Sequence, residues 1–164
     1  MAQDRPKVIQ IDRTRSFARM LAPAVRALRA GKLVGFPTET VYGVGAVARD
    51  GEAVKRLREL KDRPQRAFTV HIAEPDDAWG YVEDAPLRAQ ALMQKAWPGP
   101  LTLLLPAGER FPDPDLRDAA LYDRIVLDGV IGLRCPDDPV AERLLGRAEG
   151  PVLATSANRA GGQA

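Results

Sequence analysis

Short apolar runs alternate with stretches of helical spacing along this chain of 164 residues, and that alternation narrows the fold more than any other property. Phe17, Leu21, Val25 and Leu28 recur at helical spacing, predicting a helix over Ser16–Ala30. Pro23 lies inside that pattern, so the helix is expected to start late or kink there, and Gly31 supplies its stop. Further helices are predicted over Ala53–Leu60, Pro86–Ala96 and Pro139–Leu145. Strands are predicted at Lys7–Asp12, Leu33–Phe36, Phe68–Ile72, Leu101–Leu105, Ile125–Leu127, Ile131–Arg134 and Val152–Ala154. Residues 107–121, rich in Pro, Gly and Asp, read as a loop. Strands interleaved with helices imply a layered α/β domain. Some neighbouring strands lack an intervening helix, which implies a mixed sheet.

Composition sets the outer limits. The length suits one domain with its own core, so 1–164 is read as a single unit. The hydrophobic fraction is 45% but aromatics are only 5%, leaving Leu, Val, Ile and Ala to fill that core. A net charge of +2 does not by itself demand a nucleic-acid partner. Cys135 is the single cysteine, so no disulfide can close within the chain and a reducing compartment is the simpler reading. No apolar run approaches the ~18 residues of a membrane span, and the N-terminus lacks a signal peptide's apolar core. The expectation is a soluble, cytoplasmic protein with no membrane partner.

Five segments can carry chemistry. Gly35-Phe-Pro-Thr-Glu-Thr-Val-Tyr-Gly-Val-Gly45 follows a strand and places Thr38, Glu39, Thr40 and Tyr42 where a plain strand would continue. Its glycines permit close backbone approach or positive φ. Such strand-end loops often hold ligands, although a turn capped by threonines is the plainer alternative. Residues 55–66 hold six basic and two acidic residues, with Lys61, Arg63 and Arg66 past the expected helix end. They suit triphosphate oxygens, or simply a solvated basic face where cations meet the helix dipole. In 97–102, two prolines and a glycine force a rigid turn; Trp97 reads as structural, and Thr102 is placed to face a ligand. Arg134 ends a strand and can hold a carboxylate or phosphate, or pair with Asp137 or Asp138. Thr155, Ser156 and Asn158 end the last strand and can bind phosphate, ribose or an amine, or cap a following helix.

What is missing also counts. His71 is the only histidine, and no His/Cys cluster has metal spacing, so no metal site is assigned. Neither a P-loop nor a G-x-G-x-x-G is present, so any ATP pocket here is of another kind.

In order, P-T-E-T-V-Y-G-x-G, K-x-R-P, V-H-I, W-P-G-P-L-T, G-L-R-x-P and T-S-A-N resemble the YrdC-like threonylcarbamoyl-AMP synthase family over about residues 8–162. The resemblance implies a single-domain twisted mixed α/β sheet with helices packed on it and a concave basic cleft. It implies a nucleotidyltransferase that converts L-threonine, bicarbonate and ATP to threonylcarbamoyl-AMP and pyrophosphate, with Mg²⁺ carried on the triphosphate. The product would serve threonylcarbamoyladenosine formation in tRNA through a downstream threonylcarbamoyl transferase complex. It also implies roles: Thr38, His71, Arg134 and Ser156 for threonine; Lys61, Arg63, Arg66, Thr155 and Asn158 for ATP.

This sequence departs from the family pattern in three places. Gln65-Arg-Ala-Phe replaces the usual run after Arg63, with Arg66 as substitute cation. Asp138 stands where a histidine is common. The usual C-terminal segment is expected to be missing after Gly161-Gly-Gln-Ala164. A second reading is therefore a divergent, non-catalytic module binding nucleotide, RNA or tRNA. A third, carbamoyl transfer from carbamoyl phosphate, calls for zinc fingers and further domains that this sequence lacks.

Overall fold

The computed structural model describes residues 6–12, 17–62 and 68–158. Six strands form one sheet: β1 (Val34–Phe36), β2 (Gly43–Val47), β3 (Thr69–His71), β4 (Thr102–Pro106), β5 (Val130–Arg134) and β6 (Val152–Ser156). Their spatial order is β1-β2-β6-β3-β5-β4. Only β3 and β5 pair in parallel; the other neighbours are antiparallel. The expected mixed sheet is thus observed. Five helices accompany it: α1 (Ala22–Arg29), α2 (Gly51–Leu60), α3 (Leu87–Ala96), α4 (Ala119–Ile125) and α5 (Pro139–Leu145).

Side chains alternate across a strand, and each face of this sheet has its own core. Ala46, Val70, Leu103, Leu105, Ile131, Leu133 and Leu153 point to one face, where α2, α3 and α4 cover them through Val54, Leu57, Met93, Leu121 and Ile125. Val34, Phe36, Val47, Val152 and Ala154 point to the other, under Val25 and Leu28 of α1 and Leu144 and Leu145 of α5. The second core ends at β6. Beyond it, on the same face, the register lines up Thr102, Arg134, His71 and Val152 across four strands. Polar side chains therefore occupy the part of this face that α1 and α5 leave uncovered.

The helix ends follow local chemistry. α1 starts late, with Pro23 in its first turn, and Gly31 stops it at φ 68°. Asp50 caps α2 by accepting the Ala53 amide at 3.0 Å. Asp138 caps α5 through the Val140 and Ala141 amides at 2.8 and 3.2 Å. Trp97 is buried, and its indole N–H donates to the Leu101 carbonyl at 2.7 Å, fixing the turn into β4. A Cβ on Gly99 would stand 2.4 Å from the Ala96 carbonyl oxygen, so that turn needs glycine.

Four sequence expectations are corrected. Residues 7–12 form no strand. The loop predicted over 107–121 ends early, because Asp118 accepts the Leu121 amide at 2.7 Å and starts α4. Ile125 then closes that helix instead of opening a strand, and only Leu127 makes a bridge, to Val130. A short apolar run does not distinguish a strand from a buried helix end. Finally, Gly43 and Gly45 belong to β2 rather than to a loop. Of the two glycine roles anticipated, close approach is the one used. A Cβ on Gly45 would lie 2.9 Å from Val152 Cγ1 and 3.1 Å from the Phe36 ring.

Candidate functional site

The uncovered polar face opens into a pocket of about 210 Å³ whose lining includes Val41, Gly43, Thr69, His71, Thr102, Arg134, Thr155 and Ser156. Four of these positions were anticipated from sequence as ligand contacts: His71, Arg134, Thr155 and Ser156. Thr102, expected to face a ligand, does line the pocket. Of the remaining candidates, Thr38 bonds Val41, and Lys61 and Asn158 bond Ser156, both residues of the lining.

Arg134 is held from one side. Its Nη2 donates to Glu39 Oε1 at 2.5 Å and to Thr40 Oγ1 at 2.8 Å. Glu39 Oε2 accepts the Asp137 amide at 3.0 Å, so one carboxylate ties the 38–42 loop to the end of β5. The arginine's partner is therefore Glu39 and not Asp137 or Asp138. Asp137 contributes only its backbone, and Asp138 is committed to its helix. Arg134 Nε is buried with no hydrogen-bond partner, a costly arrangement for a charged donor.

Thr38 serves the turn. Its hydroxyl donates to the Val41 carbonyl at 2.6 Å and lies 3.3 Å from the Thr40 and Val41 amides. This turn presents Glu39 and Thr40 to Arg134.

His71 backs the pocket. The glycine gap in β2 lets the Phe36 ring lie across the sheet and meet the imidazole edge-on at 6.0 Å. His71 Nδ1 lies 3.3 Å from the Thr69 carbonyl. Burial lowers its pKa to about 4; the Thr69 bond opposes that shift and Arg134 adds to it. The imidazole is neutral at pH 7.

At the far end, Lys61 follows α2 and is 2% exposed. Its ammonium donates to the Ser156 and Asn158 carbonyls at 3.0 and 2.6 Å and to Asn158 Oδ1 at 3.1 Å. Ser156 Oγ donates to the same Asn158 oxygen at 2.5 Å. Lys61 thus pins the chain just where β6 delivers Ser156 to the pocket. Arg63 and Arg66 lie outside the described residues.

Cys135, next to Arg134, is no rival nucleophile. Burial, with Asp77 and other carboxylates adding to it, pushes its thiol up to about 12. The described residues include no group of three or more His, Cys, Asp or Glu side chains able to hold a metal ion. They include no helix long and apolar enough to cross a membrane.

This fold has known counterparts. A Sua5/YciO/YrdC family model, described as telomere recombination, matches residues 26–164. A threonylcarbamoyl-AMP synthase of Pyrococcus abyssi is 40% identical over 137 residues, covering 82% of this chain and 37% of that protein. One from Bacillus subtilis is 40% identical over 143 residues, covering 86% and 39%. One from Stutzerimonas stutzeri is 36% identical over 137 residues, covering 83% and 69%. Among solved structures, P. abyssi Sua5 complexed with L-threonine matches with a TM-score of 0.72 at 36% identity, covering 88% of this chain and 40% of that one. E. coli YciO matches with a TM-score of 0.69 at 25% identity, covering 84% and 63%. The chain belongs to the Sua5/YciO/YrdC family. It spans under two-fifths of the length of the P. abyssi and B. subtilis proteins, at 37% and 39%.

Proposed function

We propose that this chain is an enzyme of the threonylcarbamoyl-AMP synthase type, a nucleotidyltransferase joining L-threonine, bicarbonate and ATP. The observation that carries the reading is the pocket on the uncovered sheet face. It sets a fixed guanidinium beside a neutral imidazole and two strand-end hydroxyls. The chain's likeness to a protein solved with L-threonine supports the choice of substrate.

In this scheme Arg134 takes the threonine carboxylate. His71 offers a hydrogen bond without a charge that would compete for it. Ser156 stands at the junction of the two substrates, and the Thr38 turn holds the arginine's partners. Bicarbonate and the threonine amine condense to a carbamate with loss of water. A carbamate oxygen then attacks the α-phosphorus of ATP, and the bond to the bridging oxygen of the β-phosphate breaks, releasing pyrophosphate. Arg63 and Arg66 supply the positive charge the leaving group needs, with Thr155 and Asn158 on the nucleotide and Lys61 fixing the strand end beneath it. Mg²⁺ travels on the triphosphate oxygens, as a hard cation with few protein ligands commonly does. Positioning and electrostatics carry most of such a phosphoryl-type transfer. The product would pass to a transferase complex that modifies tRNA.

The test is pyrophosphate release from ATP by the full chain. Release should require both threonine and bicarbonate. Release that persists without threonine defeats the reading. Binding of both ligands without release would keep the ligand assignment and remove the turnover.

A further inference from the structure

We propose that Glu39 sets the charge balance of the pocket, so that it selects a zwitterionic α-amino acid over an anion of the same shape. The inference rests on the threonine reading above and deepens it. Arg134 is the only charged side chain among the described residues lining the pocket. Its charge is not free, because Glu39 bonds it at 2.5 Å. The carboxylate cannot swing aside easily, since its second oxygen holds the Asp137 amide at 3.0 Å. Both side chains are largely sheltered, at 16% and 18% exposed, so water screens the pair weakly. His71 contributes no compensating charge at neutral pH.

Arg134 and Glu39 therefore enter the binding equilibrium as a balanced pair. A ligand that brings only a carboxylate adds a second negative charge close to Glu39. An amino acid brings the same carboxylate with its own ammonium and avoids that repulsion. Glu39 does not itself line the pocket, so it acts through Arg134 as a positioning and specificity residue. Thr40 shares the first task but not the second, because its hydroxyl holds Nη2 without adding charge. Lys61, pinned under the end of β6, is the same in every comparison below.

The experiment is calorimetric titration of the full chain at pH 7 with two ligands. One is L-threonine; the other is 2,3-dihydroxybutanoate, in which a hydroxyl replaces the ammonium. The wild type should prefer threonine by about tenfold or more. Glu39→Gln should cut that preference by roughly fivefold or more, mainly by tightening the hydroxy acid. Thr40→Val should weaken both ligands together and leave their ratio alone. A preference in Glu39→Gln that equals the wild type's overturns the proposal. A readout that needs no variant is the wild-type preference at low and high salt. The pair is sheltered, so the preference should persist as salt rises, and a preference that collapses at high salt would place the discriminating charge on an exposed side chain instead. If neither ligand binds the wild type, the threonine reading fails and takes the Glu39 role with it, a pattern unlike any that removes Glu39 alone.

Discussion

One cation lines the pocket and another sits behind the strand end beside it, and the two are used in opposite ways. Arg134 sits at the rim, where a side chain from a loop 95 residues away in sequence meets it. Lys61 is inserted under β6 and satisfied largely by main-chain carbonyls. The first arrangement leaves part of a guanidinium available to a ligand. The second gives an ammonium to the architecture, at 2% exposure. Residue type alone would have treated both as ligand cations. Burial and the nature of the partner separate them.

Variants can break or sharpen that contrast. The largest effect should come from Lys61→Met. It leaves buried carbonyls without their donor and should cost about 3 kcal/mol in urea unfolding. If stability is unchanged while ATP binding falls, Lys61 is a ligand residue after all and the contrast collapses. Arg134→Ala should shift the balance the other way: threonine affinity drops by about a hundredfold, while stability falls by only about 1–2 kcal/mol because Glu39 keeps its bond to the Asp137 amide. Titration calorimetry and urea unfolding on the same sample decide between the two patterns.

His71 gives a pH test of the rim. Its folded pKa of about 4 lies below the 6.5 of an exposed histidine, so the unfolded chain takes up the proton first. The stability that neutral His71 contributes is complete above pH 6.5 and is lost as pH falls towards 4. Between pH 7 and pH 5 that loss should be about 2 kcal/mol. It should be absent in His71→Asn, and the single histidine resonance should titrate near 4 by NMR. A midpoint near 6.5 would mean that the imidazole is open to water. The smallest effect expected is that of Asp138→Ala. Loss of the α5 cap should cost about 1–2 kcal/mol in the same unfolding assay and leave threonine affinity intact.

Much of this was legible in the chain itself. The expected helices match α2, α3 and α5 to within two residues and α1 at its end but not its start; α1, α2 and α5 bury apolar faces, whereas α3 buries only Met93. β2 was not legible as a strand. Its alternate positions hold Gly43 and Gly45, and Phe36 from the neighbouring strand fills the space their side chains would take. α4 was hidden because its opening residues look like the loop before it. At the site, strand-end logic found Arg134, Thr155 and Ser156, while His71 entered only through the family resemblance. It could not find the Glu39–Arg134 bond, which depends on two strand ends meeting. The available signal was a carboxylate set between two threonines in a loop already suspected of ligand contact.

The position of β6 has a consequence for how the chain is made. It is the last of the described strands in sequence, yet it lies between β2 and β3. During synthesis the β1–β2 hairpin and the β3–β5–β4 portion have no shared edge until residues 152–156 emerge. Until then β2 and β3 each present an open strand edge, the feature that invites pairing with other chains. Both halves of the pocket are also unjoined in that interval. A ligand that needs Arg134 on one half and the 38–42 loop on the other therefore cannot stabilise the nascent chain before β6 emerges.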